Sequence, residues 1–309
     1  MKHVTAVAVC CLLIATASAQ ELKWPPALEG RWDLNISVGG KQLPGWLEVK
    51  HSGVNTLVGR VMIISGSARP ISKVYYEDGK FSFAIPPQWD KSNQNVQVNG
   101  TIANDSLKGS IQHVDGRTYT WIGSRAPSLR RDKAPEWSAP ITLFNGKDTQ
   151  GWHTEGANQW IAEGGILRSP KSGSNFITDK TFTDFKLHIE VRYPKGSNSG
   201  IYLRGRYEVQ VADSKGMEPW DDQFSGVYGL LSPNEMVAKD AGEWQTLDIT
   251  LIGRRVTVVA NGITVIADQV IPGITGGALD SREGEPGPLL IQGDHGPVDY
   301  RNIVITPAK

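Results

Sequence analysis

Side chains that can bind a sugar or move a proton alternate along one predicted strand pair, residues 198–214, NSGIYLRGRYEVQVADS. Successive side chains of a strand point to opposite faces of its sheet. One face is apolar and would pack a core: Ile201, Leu203, Tyr207, Val209 and Val211. The other face is polar: Tyr202, Arg204, Glu208 and Gln210. A solvated outer face commonly explains such alternation, but this mixture of groups hydrogen-bonds sugars well, and we interpret it as a candidate site.

The same strand argues against an ordinary glycosidase. Such enzymes carry two carboxyl groups that flank the scissile bond. Here the strand reads Glu208-Val-Gln210, and an amide can serve neither as nucleophile nor as acid. The two-carboxylate mechanism therefore lacks a partner on this strand.

A second candidate group is Asp294-His295, in the segment IQGDHGPVDYRN at 291–302. A histidine in a glycine-flanked loop is exposed and can exchange protons near neutral pH; a loop histidine without a function is the alternative. The histidines and acids show no regular metal-ligand spacing. Phosphate loops, Gly-x-Ser-x-Gly elbows and dinucleotide fingerprints are also absent.

Polar residues alternate in the same way along FKLHIEVRY, 185–193, where the outward set is Lys186, His188, Glu190 and Arg192. For this strand alone, a solvated sheet face is the favoured interpretation.

Composition limits the class of protein. The 309 residues suggest two domains, and 32 basic residues balance 32 acidic ones. This balance gives no electrostatic reason to expect a nucleic acid or an anionic membrane as partner. The 34 glycines and 18 prolines indicate many turns and hence β structure.

The N-terminus, MKHVTAVAVCCLLIATASAQ, has the parts of a secretory signal: Lys2, an apolar run and a small-residue cleavage site before Gln20. The run is shorter than the ~20 residues that span a bilayer. We therefore predict a signal peptide at 1–19 and a periplasmic or secreted protein. Cys10 and Cys11 are the only cysteines, so the mature protein would have neither a disulfide nor a thiolate site.

Two all-β domains are predicted. Residues 28–124 contain about eight short strands with tight turns, which favours a small antiparallel barrel; its Gly30-x-Trp32 resembles the start of lipocalin-type barrels, where a tryptophan plugs one end. Residues 125–139 have the proline and charge of a linker. Residues 140–309 carry longer strands without convincing helices, including a hairpin at Asn261-Gly262, which favours a jelly-roll sandwich.

Eight motifs of the second domain occur in the order found in a known family. They are LFNGKDTQGW, WIAEGGIL, DFKLHIEVR, NSGIYLRG, YEVQVAD, SGVYGL, GEWQTLDI and IQGDHGPVDYRNI. Residues ~140–307 thereby resemble the 3-keto-disaccharide hydrolases, also described as 3-keto-glucoside 1,2-lyases and 3-keto-2-hydroxyglucal hydratases. The resemblance implies a concanavalin-like jelly roll with the site on its concave sheet. The matching motif positions are Glu190, Asn198, Arg204, Glu208, Gln210, Tyr228, Gln292 and His295.

The family chemistry suits these residue types. A ketone at C3 acidifies the C2 proton, so a general base can remove it and the enolate can expel the C1 substituent. Water can then add across the double bond, which makes the net reaction a hydrolysis. We expect His295 or Glu208 to be the base and Arg204 to stabilise the enolate. Glu190, Asn198, Gln210, Tyr228 and Gln292 are expected to bind the sugar.

The sequence also fits other electrophiles and other functions. No cofactor is predicted, although a divalent metal on Glu190 or Glu208 would be another electrophile in place of Arg204. A non-catalytic sugar-binding module would use the same face, and in an adhesion or scaffold protein that face would be solvated surface. The barrel is predicted to fold separately and to supply no catalytic residue, either docking on the second domain or binding a partner. The sequence does not determine an oligomeric state.

Overall fold

The computed structural model describes residues 27–309, which contain strands and turns but no helix. The predicted signal peptide, 1–19, lies outside the described residues. The all-β class is confirmed, with a closed eight-stranded barrel followed by a two-sheet sandwich. Within 27–309, no helix is long and apolar enough to cross a membrane.

The barrel is an up-and-down meander in which each strand pairs with the next and β8 closes on β1. Its strands are β1 (Gly30–Val38), β2 (Lys41–His51), β3 (Leu57–Ile63), β4 (Arg69–Glu77), β5 (Lys80–Ile85), β6 (Val96–Ala103), β7 (Ser106–Gln112) and β8 (Thr118–Arg125).

Trp32 closes one end of this barrel. Its ring is fully buried, its Nε1 donates to the Leu28 carbonyl at 2.9 Å, and the Arg125 guanidinium lies 3.8 Å from the ring centroid. A Cβ on Gly30 (φ +122°) would meet that guanidinium at 2.6 Å. The predicted tryptophan plug is therefore present, and it leaves the opposite end, where β3 meets β4 and β5 meets β6, as the open end.

Thirteen further strands form the sandwich. They are β9 (Ile141–Thr142), β10 (Trp152–His153), β11 (Ile161–Glu163), β12 (Ile166–Ser169), β13 (Phe176–Phe182), β14 (Phe185–Arg192), β15 (Asn198–Leu203), β16 (Tyr207–Ala212), β17 (Gln245–Ile252), β18 (Arg255–Ala260), β19 (Ile263–Val270), β20 (Gly287–Ile291) and β21 (Val298–Pro307). One sheet has the order β10-β13-β20-β15-β16. The other has the order β11-β12-β21-β14-β17-β18-β19, with β9 paired to β21.

The alternation read from the sequence correctly predicts the sandwich core. The five apolar residues of 198–214 are all buried in it, together with the inward residues of β14. The β18–β19 hairpin turns at Asn261 (φ +51°) and Gly262 (φ +83°), the two left-handed positions that a type I′ turn requires.

The barrel docks on the sandwich through the outer face of β2 and β3. Trp46 and Met62 are cross-strand neighbours that point out of the barrel into the hydrophobic core of the sandwich. Trp46 Nε1 donates to the Ile274 carbonyl at 2.8 Å, and its indole covers Gly273, where a Cβ would lie 2.3 Å from the ring. Of the two roles left open for the barrel, docking is observed. The barrel also has a hydrophobic core of its own, so separate folding stays a prediction.

Residues 125–139, expected to be a linker, begin with the last residue of β8 and lie against both parts of the protein. Ala126 N donates to the Arg31 carbonyl at 3.0 Å, and Arg131 forms an ion pair of 2.7 Å with Asp184. Leu129 is buried, and its carbonyl oxygen would lie 1.9 Å from a Cβ on Gly253. The segment is therefore packed along the sandwich.

A buried ionic cluster joins the barrel to the interface loop, which we define as residues 271–286 between β19 and β20. Glu283 is fully buried; it accepts hydrogen bonds from Arg254 and Tyr207 at 2.5 and 2.7 Å, and Arg31 of the barrel lies 3.4 Å away. Burial alone would raise the pKa of Glu283, but Arg254 and Arg31 hold it below its usual value. Burial and the nearby charge of Glu283 raise the pKa of Asp33 to about 7.

Trp46→Ala should destabilise the whole protein. It removes a buried indole from the core that barrel and sandwich share, and such a truncation costs about 3–5 kcal/mol of unfolding free energy. Denaturant unfolding followed by circular dichroism would measure this. Trp220→Ala, which removes a tryptophan that is 64% exposed, should change stability by less than about 0.5 kcal/mol. Equal effects of the two substitutions would contradict the shared core.

Asp33→Asn should raise the melting temperature above pH 7 and change it little near pH 4. The pKa of folded Asp33 is raised, whereas an unfolded aspartate ionises near pH 4. The folded protein therefore loses stability as the pH rises from about 4 to about 7, because the buried Asp33 side chain must then ionise. Differential scanning calorimetry at pH 8 should show a gain of about 2–6 °C.

The Asp132→Asn variant, which changes an exposed aspartate, is the matched control and should leave the melting temperature close to that of the wild type. A melting temperature of Asp33→Asn below that of the wild type at pH 8 would refute the raised pKa.

Candidate active site

Two rows of side chains cross the outer face of the five-stranded sheet. Strand register sets Gly200 opposite Gln210 and Tyr202 opposite Glu208 on β15–β16. On the other side of β15, Gln292 N donates to the Gly200 carbonyl at 2.9 Å. One row is therefore Gln292–Gly200–Gln210, and the next contains Tyr202 and Glu208. Three residues carried over from the family motifs, Glu208, Gln210 and Gln292, are brought together here.

A glycine in the middle of these rows makes room for the Glu208 carboxyl group. A Cβ on Gly200 would lie 2.2 Å from Glu208 Oε1, which no real contact allows. The carboxyl group therefore folds down over the glycine and is 4% exposed. Gly277 (φ +79°) makes room for Tyr202 in the same way, because a Cβ on Gly277 would lie 2.5 Å from the Tyr202 hydroxyl oxygen.

The protonation of Glu208 follows from its surroundings. Burial, aided by the charge of Asp294, raises the pKa of Glu208 to about 8, although a hydrogen bond from Tyr202 acts in the opposite direction. The Tyr202 hydroxyl lies 2.9 Å from Glu208 Oε2 and 3.0 Å from the Gly276 carbonyl. That hydroxyl has one proton for two acceptors. Both contacts are satisfied when Glu208 is protonated and donates to Tyr202, which then donates to Gly276.

Three side-chain amide oxygens around Glu208 have no hydrogen-bond partner in the protein: those of Asn198, Gln210 and Gln292. Gln210 Nε2 donates to the Asp222 carbonyl at 3.2 Å, which leaves its oxygen as the free end. Gln210 and Gln292 are 4% and 8% exposed. A buried acceptor without a donor costs about 1–3 kcal/mol, so this cluster is a candidate ligand site.

Tyr228 and His295 complete the rim. The Tyr228 backbone N donates to the Glu208 carbonyl at 3.0 Å, which extends the sheet past β16 and fixes the tyrosine beside the carboxyl group. Burial and the charge of Glu208 raise the pKa of Tyr228. His295 is exposed, and its Nδ1 lies 2.6 Å from Asp294 Oδ1.

The barrel supplies the remaining wall. These groups surround a cavity of about 360 Å³, the site cavity, whose lining also includes Ser65, Gly66 and Trp89. Its size lies within the range of about 300–1,000 Å³ for small-molecule sites. The loop after β3 approaches because Gly276 has no side chain; a Cβ there would lie 2.5 Å from the Gly66 carbonyl oxygen. Sequence reasoning missed this barrel contribution, since only the docking creates it.

Arg204 lies outside the site cavity, and the expectation that it shares the face of Glu208 is wrong. It occupies the β15–β16 turn with φ +54°, which breaks the alternation on which the prediction depended. Its buried guanidinium donates to Tyr207 Oη at 3.0 Å and to the Gly253 carbonyl at 2.7 Å. We therefore do not place Arg204 at the enolate.

The motif match is also wrong about Glu190, which does not lie near Glu208. It belongs to β14 in the eight-stranded sheet, whereas Glu208 belongs to the five-stranded one. Both point away from the core between the sheets, so they lie on opposite outer faces of the sandwich. Glu190 accepts hydrogen bonds from Arg301 and Asn302 at 2.7 and 2.6 Å. The solvated-face interpretation of β14 is the correct one.

Other places in residues 27–309 fit a chemical site less well. A larger concavity, about 780 Å³, lies on the outside of β4–β8, and its charged side chains Glu77, Lys80 and Lys108 are exposed. Within the same range, no group of three or more His, Cys, Asp or Glu residues could hold a metal ion.

Comparison with known proteins places the second domain in a family. Residues 139–306 match the family described as 3-keto-alpha-glucoside-1,2-lyase-like domain. No curated protein matches the chain.

Three solved structures are similar to about half of the chain. A candidate glycosyl hydrolase from Parabacteroides distasonis is 29% identical over 54% of this chain and 82% of its own, with a TM-score of 0.47. Another candidate glycosyl hydrolase from that organism is 18% identical over 55% and 94%, also with a TM-score of 0.47. A carbohydrate-binding module from Bacillus subtilis is 12% identical over 50% and 93%, with a TM-score of 0.36.

The carboxyl group of Glu208 should titrate far above the usual range. Besides the band of Asp33, whose midpoint should lie near pH 7, infrared difference spectra of the protein between pH 5 and pH 9 should show one protonated-carboxyl band that disappears with a midpoint near pH 8. This band should be absent from Glu208→Gln and present in Glu190→Gln, the matched control on the opposite face. A wild-type spectrum with all carboxyl bands lost below pH 6 would contradict the assignment.

Proposed function

The chain belongs to the family of 3-keto-alpha-glucoside-1,2-lyase-like domains and is carbohydrate-active, and we propose that it cleaves 3-keto-glycosides by C2 deprotonation and elimination at C1. The observation that carries the proposal is the buried Glu208 carboxyl group, with a pKa of about 8, among three unpaired amide oxygens. A proton-transfer group and acceptors for sugar hydroxyls thus lie in one cavity.

Glu208 is the proposed base. A carboxylate whose pKa is about 8 holds a proton more tightly than an ordinary one, and general bases work best when their pKa is near the working pH. The ionised fraction takes the C2 proton, and the electron pair moves onto the C3 oxygen as an enolate. Collapse of the enolate restores the C3 carbonyl, forms a C1–C2 double bond and breaks the bond from C1 to the leaving oxygen.

Tyr228 and His295 are the proposed proton donors. The Tyr228 hydroxyl replaces the misplaced Arg204 as the group that stabilises the C3 oxygen, because this tyrosine is fixed beside Glu208. His295, in a loop and paired with Asp294, protonates the leaving oxygen. Asn198, Gln210 and Gln292 accept hydrogen bonds from the sugar hydroxyls and hold the ring over Glu208.

Hydration of the unsaturated product would complete a net hydrolysis. Water adds its oxygen to C1 and gives a proton to His295, while Glu208 returns to C2 the proton it removed. Both side chains then regain their starting states. The same two groups thus serve elimination and hydration.

A non-catalytic sugar-binding module is the second candidate, and the unpaired amide oxygens favour it equally well. A binding module has no need of a buried carboxyl group that ionises near pH 8. Turnover therefore distinguishes the two functions. Export, expected from residues 1–19, is part of the proposal, because an exported enzyme would meet glycosides outside the cytoplasm.

Glu208→Gln should reduce the release of the second sugar from 3-keto-trehalose by about 10²–10⁴-fold. The substitution keeps the size of the side chain but removes the base. In the wild type, kcat/KM should rise with pH through about 8, because the ionised form of Glu208 is the active one. Chromatography of released glucose would measure both.

Glu190→Gln should retain activity and serves as the control. Turnover of 3-keto-trehalose by Glu208→Gln at the wild-type rate would remove Glu208 as the base. Binding of the sugar without any release by the wild type would support the module instead.

A further inference from the structure

A second, smaller cavity lies at the open end of the barrel. This barrel mouth has a volume of about 190 Å³ and shares Ser65 and Trp89 with the site cavity. Its other walls include the apolar residues Ile63, Ile85 and Val96, at the ends of β3, β5 and β6. The two cavities therefore adjoin at Ser65 and Trp89.

Arg69 places a cation inside this mouth. It pairs across β3–β4 with Val61 and precedes Ile71 by two residues; both neighbours are in the barrel core, so Arg69 faces inward. No carboxylate among the described residues lies within ion-pair distance of it. The acid in the lining, Asp90, lies 3.6 Å from His113 Nε2, and Arg117 of the same lining is paired with Asp115.

A cation without an acidic partner in this mouth points to an anion as its ligand. Burial without a compensating partner lowers the pKa of Arg69. A guanidinium binds carboxylate and phosphate groups through paired hydrogen bonds. An anionic ligand would therefore supply the partner that the protein does not.

Trp89 offers a flat apolar surface at the boundary of the two cavities. Its side chain is 68% exposed. The loop that carries it is held by Gln88, which accepts from Ser67 N at 3.2 Å and donates to Ser67 Oγ at 3.1 Å. The negative face of an aromatic ring attracts the C–H edges of a sugar, so a ring leaving the site cavity would pass over Trp89.

We propose that the barrel mouth is the leaving-group subsite and takes an anionic sugar as the C1 substituent, with its ring on Trp89 and its charge on Arg69. This inference depends on the proposed function for the identity of the other sugar. Specificity would then be divided between the domains: the sandwich binds the 3-keto sugar, and the barrel selects what is attached to it.

Binding can test the subsite without turnover. Isothermal titration calorimetry of the full-length protein would compare methyl glucuronide and glucose 6-phosphate with neutral methyl glucoside. An anionic probe should bind about tenfold more tightly than the neutral one at low salt, as expected for a charge-assisted hydrogen bond. Which anion binds better distinguishes a carboxylate ligand from a phosphate ligand.

Two variants test whether Arg69 and Trp89 bind the probes. Arg69→Met should abolish the preference for the anion, and Trp89→Ala should weaken the binding of every probe by about tenfold. Arg60→Met, on the outside of the same barrel and paired with Glu48, is the matched control and should keep the preference. Equal affinity for charged and neutral probes in the wild type, or a preference that survives Arg69→Met, would overturn the proposal.

Kinetics with Arg69→Met distinguish a failure of the barrel subsite from a failure of the proposed reaction. For 3-keto-glycosides with an anionic leaving group, Arg69→Met should raise KM much more than it lowers kcat. Release of product with no dependence on Arg69 would refute the subsite alone. Arg69-dependent binding of an anion by a protein that cleaves no 3-keto-glycoside would refute the proposed reaction and leave the subsite standing.

Discussion

The buried charge of Glu283 constrains how the two domains fit together. Its partners come from the barrel (Arg31), from the eight-stranded sheet (Arg254) and from the five-stranded sheet (Tyr207). An ionised carboxylate in a dry interior costs several kcal/mol unless its partners are all in place. The charge is therefore tolerated only when all three parts are assembled in one arrangement. That arrangement lays Trp46 on Gly273 and brings the barrel loop to the rim of the site cavity.

Two glycines determine the shape of the site as much as its polar side chains do. Gly200 and Gly277 leave the space that Glu208 and Tyr202 occupy. Because that space is enclosed, the Glu208 carboxyl group loses water, and its proton becomes harder to remove. Desolvation by neighbouring backbone, without a second carboxylate in contact, thus prepares one acid for proton transfer. This is a different use of a sheet face from the paired carboxylates of ordinary glycosidases.

Unpaired groups carry the functional argument in both cavities. Amide oxygens without donors surround Glu208, and a guanidinium without an acid faces into the barrel mouth. The buried amide oxygens lower the stability of the free protein, and both sets of groups lie where a ligand could supply the missing partner. In the ionic cluster around Glu283, by contrast, the carboxylate has all its partners within the chain. The Glu283 carboxylate therefore serves the fold and needs no ligand.

The sequence by itself determined what depends on local periodicity and motif order. Alternation along β15 and β16 predicted which residues enter the core, Asn261-Gly262 predicted its hairpin, and the ordered motifs predicted the family. Period-two alternation does not say which sheet a strand joins, so it could not correct the motif match that put Glu190 on the same face as Glu208. It also fails at a turn, where the left-handed backbone of Arg204 redirects the side chain. Only the tertiary structure decided that Trp89 reaches the site cavity, because the docking that brings it there depends on contacts between residues more than two hundred positions apart.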